Sequence, residues 1–157
     1  MSDATSDKTL ITFWGTRGSI STPGRTTEKY GGNTSCIYVR HGNTHVVLDA
    51  GTGIRPLGFE LIRELADEED PVIHLLLTHT HWDHIQGLPF FDPAYTPGIK
   101  VLIYGSHTMG GFLEQILRRQ MDSEYFPVEM SAFGAELDIR EIREENFTIG
   151  PINFDWQ

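Results

Sequence analysis

The chain has 157 residues, 39% of them hydrophobic and 22% charged, with 12 basic against 22 acidic side chains and a formal net charge of −10. That size and mix fit one globular domain, and the negative excess argues against a large nucleic acid as partner, because pairing with phosphates needs many Lys and Arg. A single cysteine, Cys36, excludes an internal disulfide framework, no apolar run reaches membrane-spanning length, and the polar opening Met1–Lys8 lacks the apolar core of a signal peptide, so a cytoplasmic protein with no membrane partner is expected.

Residues 1–8 read as a flexible end. Thr9–Trp14 is β-prone and predicts the first strand. Gly15-Thr-Arg-Gly-Ser19 and Pro23-Gly-Arg25 break it into a long loop, and Gly31-Gly-Asn-Thr-Ser35 is a second polar turn. Cys36–Arg40 and His45–Asp49 flank the turn His41–Thr44 and predict a β-hairpin. Cys36 has no His or Cys partner nearby in sequence and reads as a small core residue rather than a nucleophile. His41 and His45 flank the turn and are expected to be exposed. From Ile54 to Leu65 the apolar period becomes helical, with Ile54, Leu57, Leu61, Ile62 and Leu65 on one face and Pro56 at an early helical position. Asp67–Asp70 is an acidic turn.

Val72–Thr78 is short and apolar and predicts a buried strand, with His74 a satisfied core histidine within it. Directly after it, His79, His81, Asp83 and His84 fall within six residues, in the run T-H-T-H-W-D-H-I-Q-G from Thr78 to Gly87. In an extended segment residues i, i+2 and i+4 point the same way. His79, His81 and Asp83 therefore converge on one side, and His84 joins them if the chain turns at Trp82-Asp83. Three imidazoles and a carboxylate at a strand end form a site for zinc or a similar divalent cation.

Gly87–Gly98 is rich in Pro and aromatics and reads as irregular, with room for one helical turn. Ile99–Tyr104 predicts a strand, and His107, after it, is placed to face the site from a loop. Met109–Met121 predicts an amphipathic helix with the stripe Phe112, Leu113, Ile116, Leu117 and Met121. Ser123–Gly134 is an aromatic loop, and Glu136–Glu141 and Phe147–Trp156 predict two further strands.

The run H-T-H-W-D-H resembles the H-x-H-x-D-H signature of the metallo-β-lactamase-fold superfamily. The resemblance implies an α+β fold, an αββα sandwich with a two-metal site. His79 and His81 would hold the first ion, and Asp83 and His84 the second; zinc is the expected metal, with manganese or iron as alternatives. Leu48-Asp-Ala-Gly-Thr-Gly53 resembles the family's first motif, whose Asp supports the ligands from behind. Independently, Asp49 ends an apolar strand, where a carboxylate is costly unless paired. It reads either as a support for a ligand His or as a turn cap. Thr78 and Thr80 read equally as similar supports or as β-prone filler.

Phe13–Gly24, Gly31–Cys36 and His84-Ile-Gln-Gly-Leu-Pro89 are similar to segments of the phosphodiesterase and ribonuclease Z-like branch. Gly15 and Gly18 let backbone amides approach an anion, and Arg17 adds charge, with Ser19 beside it. A tight turn with a solvated Arg is the alternative.

The resemblance implies a metal-dependent hydrolase acting on a small phosphodiester or cyclic phosphate through a metal-bound hydroxide, with Asp83 also orienting that hydroxide. The alternatives are a lactone, thioester or β-lactam hydrolase of the same fold, or a non-catalytic regulatory domain. Residues 9–157 then form a partial domain. Relatives of this kind are longer and supply further ligands, so this chain is expected to be truncated on its C-terminal side, to bind metal weakly with little or no hydrolysis, to leave a sheet face without its partner, and to self-associate, leaving room for a homo-oligomer.

Overall fold

The computed structural model describes residues 8–106, 112–143 and 146–155. Strand β1 (Thr9–Gly15) pairs antiparallel with β2 (Cys36–His41), which forms the expected hairpin with β3 (Thr44–Leu48). Helix α1 (Ile54–Glu64) then carries the chain over one face, so that β4 (Val72–Leu77) returns parallel to β3. Two one-turn helices follow, α2 (Trp82–Ile85) and α3 (Asp92–Tyr95). Strand β5 (Lys100–Ser106) pairs parallel with β4, and after α4 (Leu113–Arg119) strand β6 (Glu136–Ile142) pairs parallel with β5. The result is a six-stranded sheet in the order β1-β2-β3-β4-β5-β6, with β7 (Asn146–Ile149) and β8 (Ile152–Asp155) forming a separate two-stranded sheet.

The period-2 alternation of the central strands divides the core in two. Ile73, Leu75, Leu77, Val101 and Ile103 face one side, where Ile54, Leu57, Leu61 and Leu65 of the α1 stripe cover them, with Leu113, Leu117 and Met121. Val46, Leu76, Leu102 and Tyr104 face the other side and are covered by Ile149, Phe147, Ile152 and Phe154 of the β7–β8 hairpin. Tyr104 stacks on Phe147 at 6.2 Å, and Phe147 on Phe154 at 5.1 Å. The second face, expected to be bare, is thus covered in part by the chain itself.

Other expectations are corrected. Phe147–Trp156 is not one strand: Gly150 at φ +53° reverses the chain, a conformation that favours glycine, and Ile149 pairs with Ile152; Trp156 lies outside the described residues. Phe112 precedes α4 and is exposed, while Leu113, Leu117 and Met121 are buried as expected. Ser123–Gly134 includes a short 3-10 turn at Met130–Ala132.

His45, expected to be exposed, is fully buried. It shares the α1 side of β3 with Val47, and two acids unpredictable from the hairpin reach its neighbourhood. Its Nε2 is 2.9 Å from Glu68, its Nδ1 is 2.6 Å from Tyr38 Oη, and that hydroxyl donates to Glu64. His74 matches its expectation as a satisfied, half-buried histidine, with Nδ1 3.1 Å from Tyr104 Oη. Cys36 is buried in the core, and that burial pushes its thiol far above the reactive range.

Candidate metal centre

One edge of the sheet gathers the motifs. Strands β3 and β4 run parallel and end together, so Asp49 and the segment from Thr78 to His84 leave the sheet side by side. The antiparallel pairing of β1 with β2 brings the loop after Gly15 and the turn before Cys36 to the same edge. In open sheets with parallel strands, the crevice beyond the carboxyl ends is where ligands bind.

Asp49 ties these segments together. Its backbone stands at φ +64°, a left-handed conformation that Asp tolerates better than most residues. Its carboxylate is buried and accepts four hydrogen bonds. Oδ1 accepts from the Thr78 backbone N–H at 2.9 Å and the Thr78 hydroxyl at 2.8 Å. Oδ2 accepts from the Ser35 hydroxyl at 2.8 Å and lies 2.7 Å from His84 Nδ1. The buried charge is therefore compensated, and a proton on His84 Nδ1 leaves the Nε2 lone pair facing outward. Asp49 thus holds the Thr78 backbone and hydroxyl on one oxygen and Ser35 and His84 on the other.

Backbone contacts lock the metal motif against the Asp49 turn. Ala50 N–H donates to the His84 carbonyl at 2.7 Å, and Gly87 N–H to the Ala50 carbonyl at 2.8 Å. The approach is so close that a Cβ on Gly51 would lie 2.4 Å from the Asp83 carbonyl oxygen and 2.5 Å from Thr34 Oγ1. Thr34 and Thr52 are reciprocal partners, each backbone N–H donating to the other's hydroxyl at 2.8–2.9 Å, and Gln86 Nε2 donates to Thr34 Oγ1 at 3.3 Å. Ser35, Thr34, Thr52 and Gln86 were not assigned roles from the sequence. The Gly-Asn-Thr-Ser and Ile-Gln-Gly runs that hold three of them were visible, but polar loop residues carry no period that would reveal their partners.

The four proposed ligand residues come together. The His79 ring centroid is 3.9 Å from that of His84 and 4.6 Å from that of His81. Asp83 Oδ2 is 3.5 Å from His84 Nε2 and accepts the Ser19 N–H at 2.8 Å. That backbone bond holds the Asp83 carboxyl below the usual carboxylate range, and burial, with His84 and His81 alongside, holds the His79 imidazole below its ordinary range. A neutral imidazole and an ionised carboxylate are the forms that bind cations. Among the described residues no group of three or more His, Cys, Asp or Glu side chains is already arranged to hold a metal ion; the imidazoles are packed ring against ring. The donor set itself, nitrogen-rich with one carboxylate and its supporting acid in place, suits zinc-type cations.

Arg17 and Ser19 take different positions. Ser19, at φ +74°, reaches the cluster through its backbone N–H. Arg17 Nε donates to the Ile20 carbonyl at 2.8 Å, and Arg17 lines a groove of about 340 Å³ with Lys29 and Tyr30 in its own loop. Thr80 lines another groove, described below, and His107 lies outside the described residues.

The family model of the Metallo-beta-lactamase superfamily matches residues 30–151, and the chain belongs to that superfamily. Ribonuclease Z of Haloarcula marismortui is 28% identical over 137 residues, spanning 83% of this chain and 40% of that protein. Thioesterase pkgB of Emericella nidulans is 31% identical over 96 residues, 54% of this chain and 28% of that protein. Among solved structures, a diphosphatase from the PhnP family superposes with a TM-score of 0.58 at 18% identity, over 90% of this chain and 54% of that one. The metallo-beta-lactamase fold protein YhfI of Bacillus subtilis gives 0.60 at 17% identity, over 92% and 50%. The chain thus has the metallo-beta-lactamase fold expected from its motifs, and it spans about half or less of the length of these relatives. Among the described residues no helix is long and apolar enough to cross a membrane.

Proposed function

We propose that the protein is a metal-dependent hydrolase that cleaves a small phosphodiester or cyclic phosphate. The observation that carries the metal dependence is the Asp49–His84 contact at 2.7 Å, which orients one imidazole of a cluster that also holds His79, His81 and Asp83. His79 and His81 would hold one divalent cation, and Asp83 and His84 another, with zinc the first candidate. Bound there, such ions supply Lewis-acid charge at the reacting oxygens. Asp49 keeps the His84 proton on Nδ1, and Thr78 and Ser35 keep Asp49 in place. Asp83, ionised and steadied by the Ser19 N–H, is suited to orient the attacking water.

The choice of phosphorus over carbon is supported by the likeness to ribonuclease Z and to a diphosphatase structure. The likeness to a thioesterase favours a second reading, hydrolysis of a thioester or related carbonyl compound at the same cluster. Arg17 separates the two. It lies two residues from Ser19, and only its Nε is hydrogen-bonded among the described residues, so its terminal nitrogens are available to an anion. Arg17→Ala is expected to lower kcat/KM for a phosphodiester by roughly 10–100-fold, the size of a lost charged hydrogen bond, with a clearly smaller loss on a neutral ester. Steady-state kinetics on both substrates checks this. Equal losses on the two, or turnover of thioesters or lactones alone in the unmodified protein, would favour the carbonyl reading.

A further inference from the structure

Beside the metal motif lies a second groove, of about 410 Å³, lined by Thr80, Trp82 and Ile85 on one side and by Ile116, Arg119, Gln120 and Tyr125 on the other. Three observations set it apart. Trp82 and Tyr125 are each 73% exposed, which leaves both rings open to a ligand. Gln120 Nε2 is buried and has no hydrogen-bond partner among the described residues, although buried amide donors are ordinarily paired. Arg118 is tied to Glu114 at 2.8 Å, whereas Arg119 makes no ion pair among the described residues.

Thr80 and Trp82 alternate along the chain with His79, His81 and Asp83, so the groove flanks the segment that carries the cluster. Two exposed aromatic side chains beside the apolar Ile85 and Ile116 suit a planar ring. The Arg119 guanidinium suits an anion joined to that ring, and the volume suits a group of nucleoside size. We propose that this groove is the specificity subsite of the enzyme and that it takes the planar aromatic group of an aryl or nucleoside phosphate, stacked between Trp82 and Tyr125. The inference rests on the phosphodiester reading for what happens at the cluster, but not for the binding that tests it.

The test uses two phosphonates that are not hydrolysed, phenylphosphonate and methylphosphonate, with the metal-loaded protein and isothermal titration calorimetry. The unmodified protein should bind the phenyl compound roughly tenfold or more tightly than the methyl one, the scale of one ring stacked on aromatic side chains. In Tyr125→Ala the ratio of the two affinities should fall to about one. In Tyr125→Phe, which keeps the ring face, the ratio should persist. Tyr125 is exposed, so the alanine variant is expected to fold, and its melting temperature verifies that. The proposal is overturned if the unmodified protein shows no preference, if it binds neither phosphonate, or if Tyr125→Ala keeps the preference. A phenyl preference that depends on Tyr125, in a protein that hydrolyses no phosphodiester, would preserve the subsite and remove the phosphodiesterase reading.

Discussion

In a full-length form of the protein, His79→Ala or His81→Ala is expected to release one of two bound divalent ions and to lower phosphodiester turnover by about a thousandfold or more. The size follows from what a metal ion contributes, several kcal/mol of charge stabilisation in the transition state, with each ~1.4 kcal/mol worth a factor of ten. Neither side chain is part of the main core: His81 is exposed and His79 is half-buried. The variants should therefore fold, and loss of turnover should track loss of metal. Elemental analysis and steady-state rates on the same preparations check the prediction. Two variants with full metal content and unchanged rate would remove His79 and His81 from the site.

Asp49→Asn is expected to weaken metal affinity by roughly 10–100-fold, the usual cost of losing a carboxylate behind a ligand His. The physical reason is specific to this site. Oδ1 accepts two bonds from Thr78, and Oδ2 meets Ser35 and His84. An amide has one oxygen, so either the fixed Thr78 N–H or the His84 Nδ1–H must then face an NH2 group. If the NH2 turns to His84, the imidazole changes tautomer, its proton moves to Nε2, and the lone pair needed for a cation is lost. If it turns to Thr78, a backbone donor near a buried group goes unpaired, and stability falls by about 1–3 kcal/mol. Competition with a chelator measures affinity, and thermal denaturation measures stability. A folded Asp49→Asn protein with unchanged affinity would show that Asp49 does not act through His84.

The parts of this site that were readable from sequence share one trait: a strong local pattern. Val72–Leu77 is apolar and short, and four side chains of metal-ligand type follow it at once, so strand, edge and cluster could be placed together. Asp49 stood out because a carboxylate closes an apolar strand. What was not readable depends on contacts distant in the chain. Ser35 meets Asp49 across 14 residues, and Thr34 meets Thr52 across 18; hydroxyls in turns have no periodicity to show which partner they face. His45 was misplaced for the same reason, since Glu68, which lies 23 residues on, accompanies its burial. The β7–β8 hairpin was marked by Gly150-Pro151, a break signal within what otherwise reads as one alternating strand. Trp82 was visible as part of the motif, but its groove requires α4 and Tyr125, about 40 residues away, to fold back against it.

His79, His81, Asp83 and His84 are proposed to hold divalent metal at the carboxyl edge of the sheet. The most direct measurement is metal per chain by mass spectrometry after dialysis against zinc, made on the protein and on a variant with all four residues replaced by alanine. Bound zinc is expected in the first and none in the second, with the circular dichroism of the two proteins alike. A folded protein that retains no zinc, or a fourfold variant that retains as much as the original, would contradict the proposal.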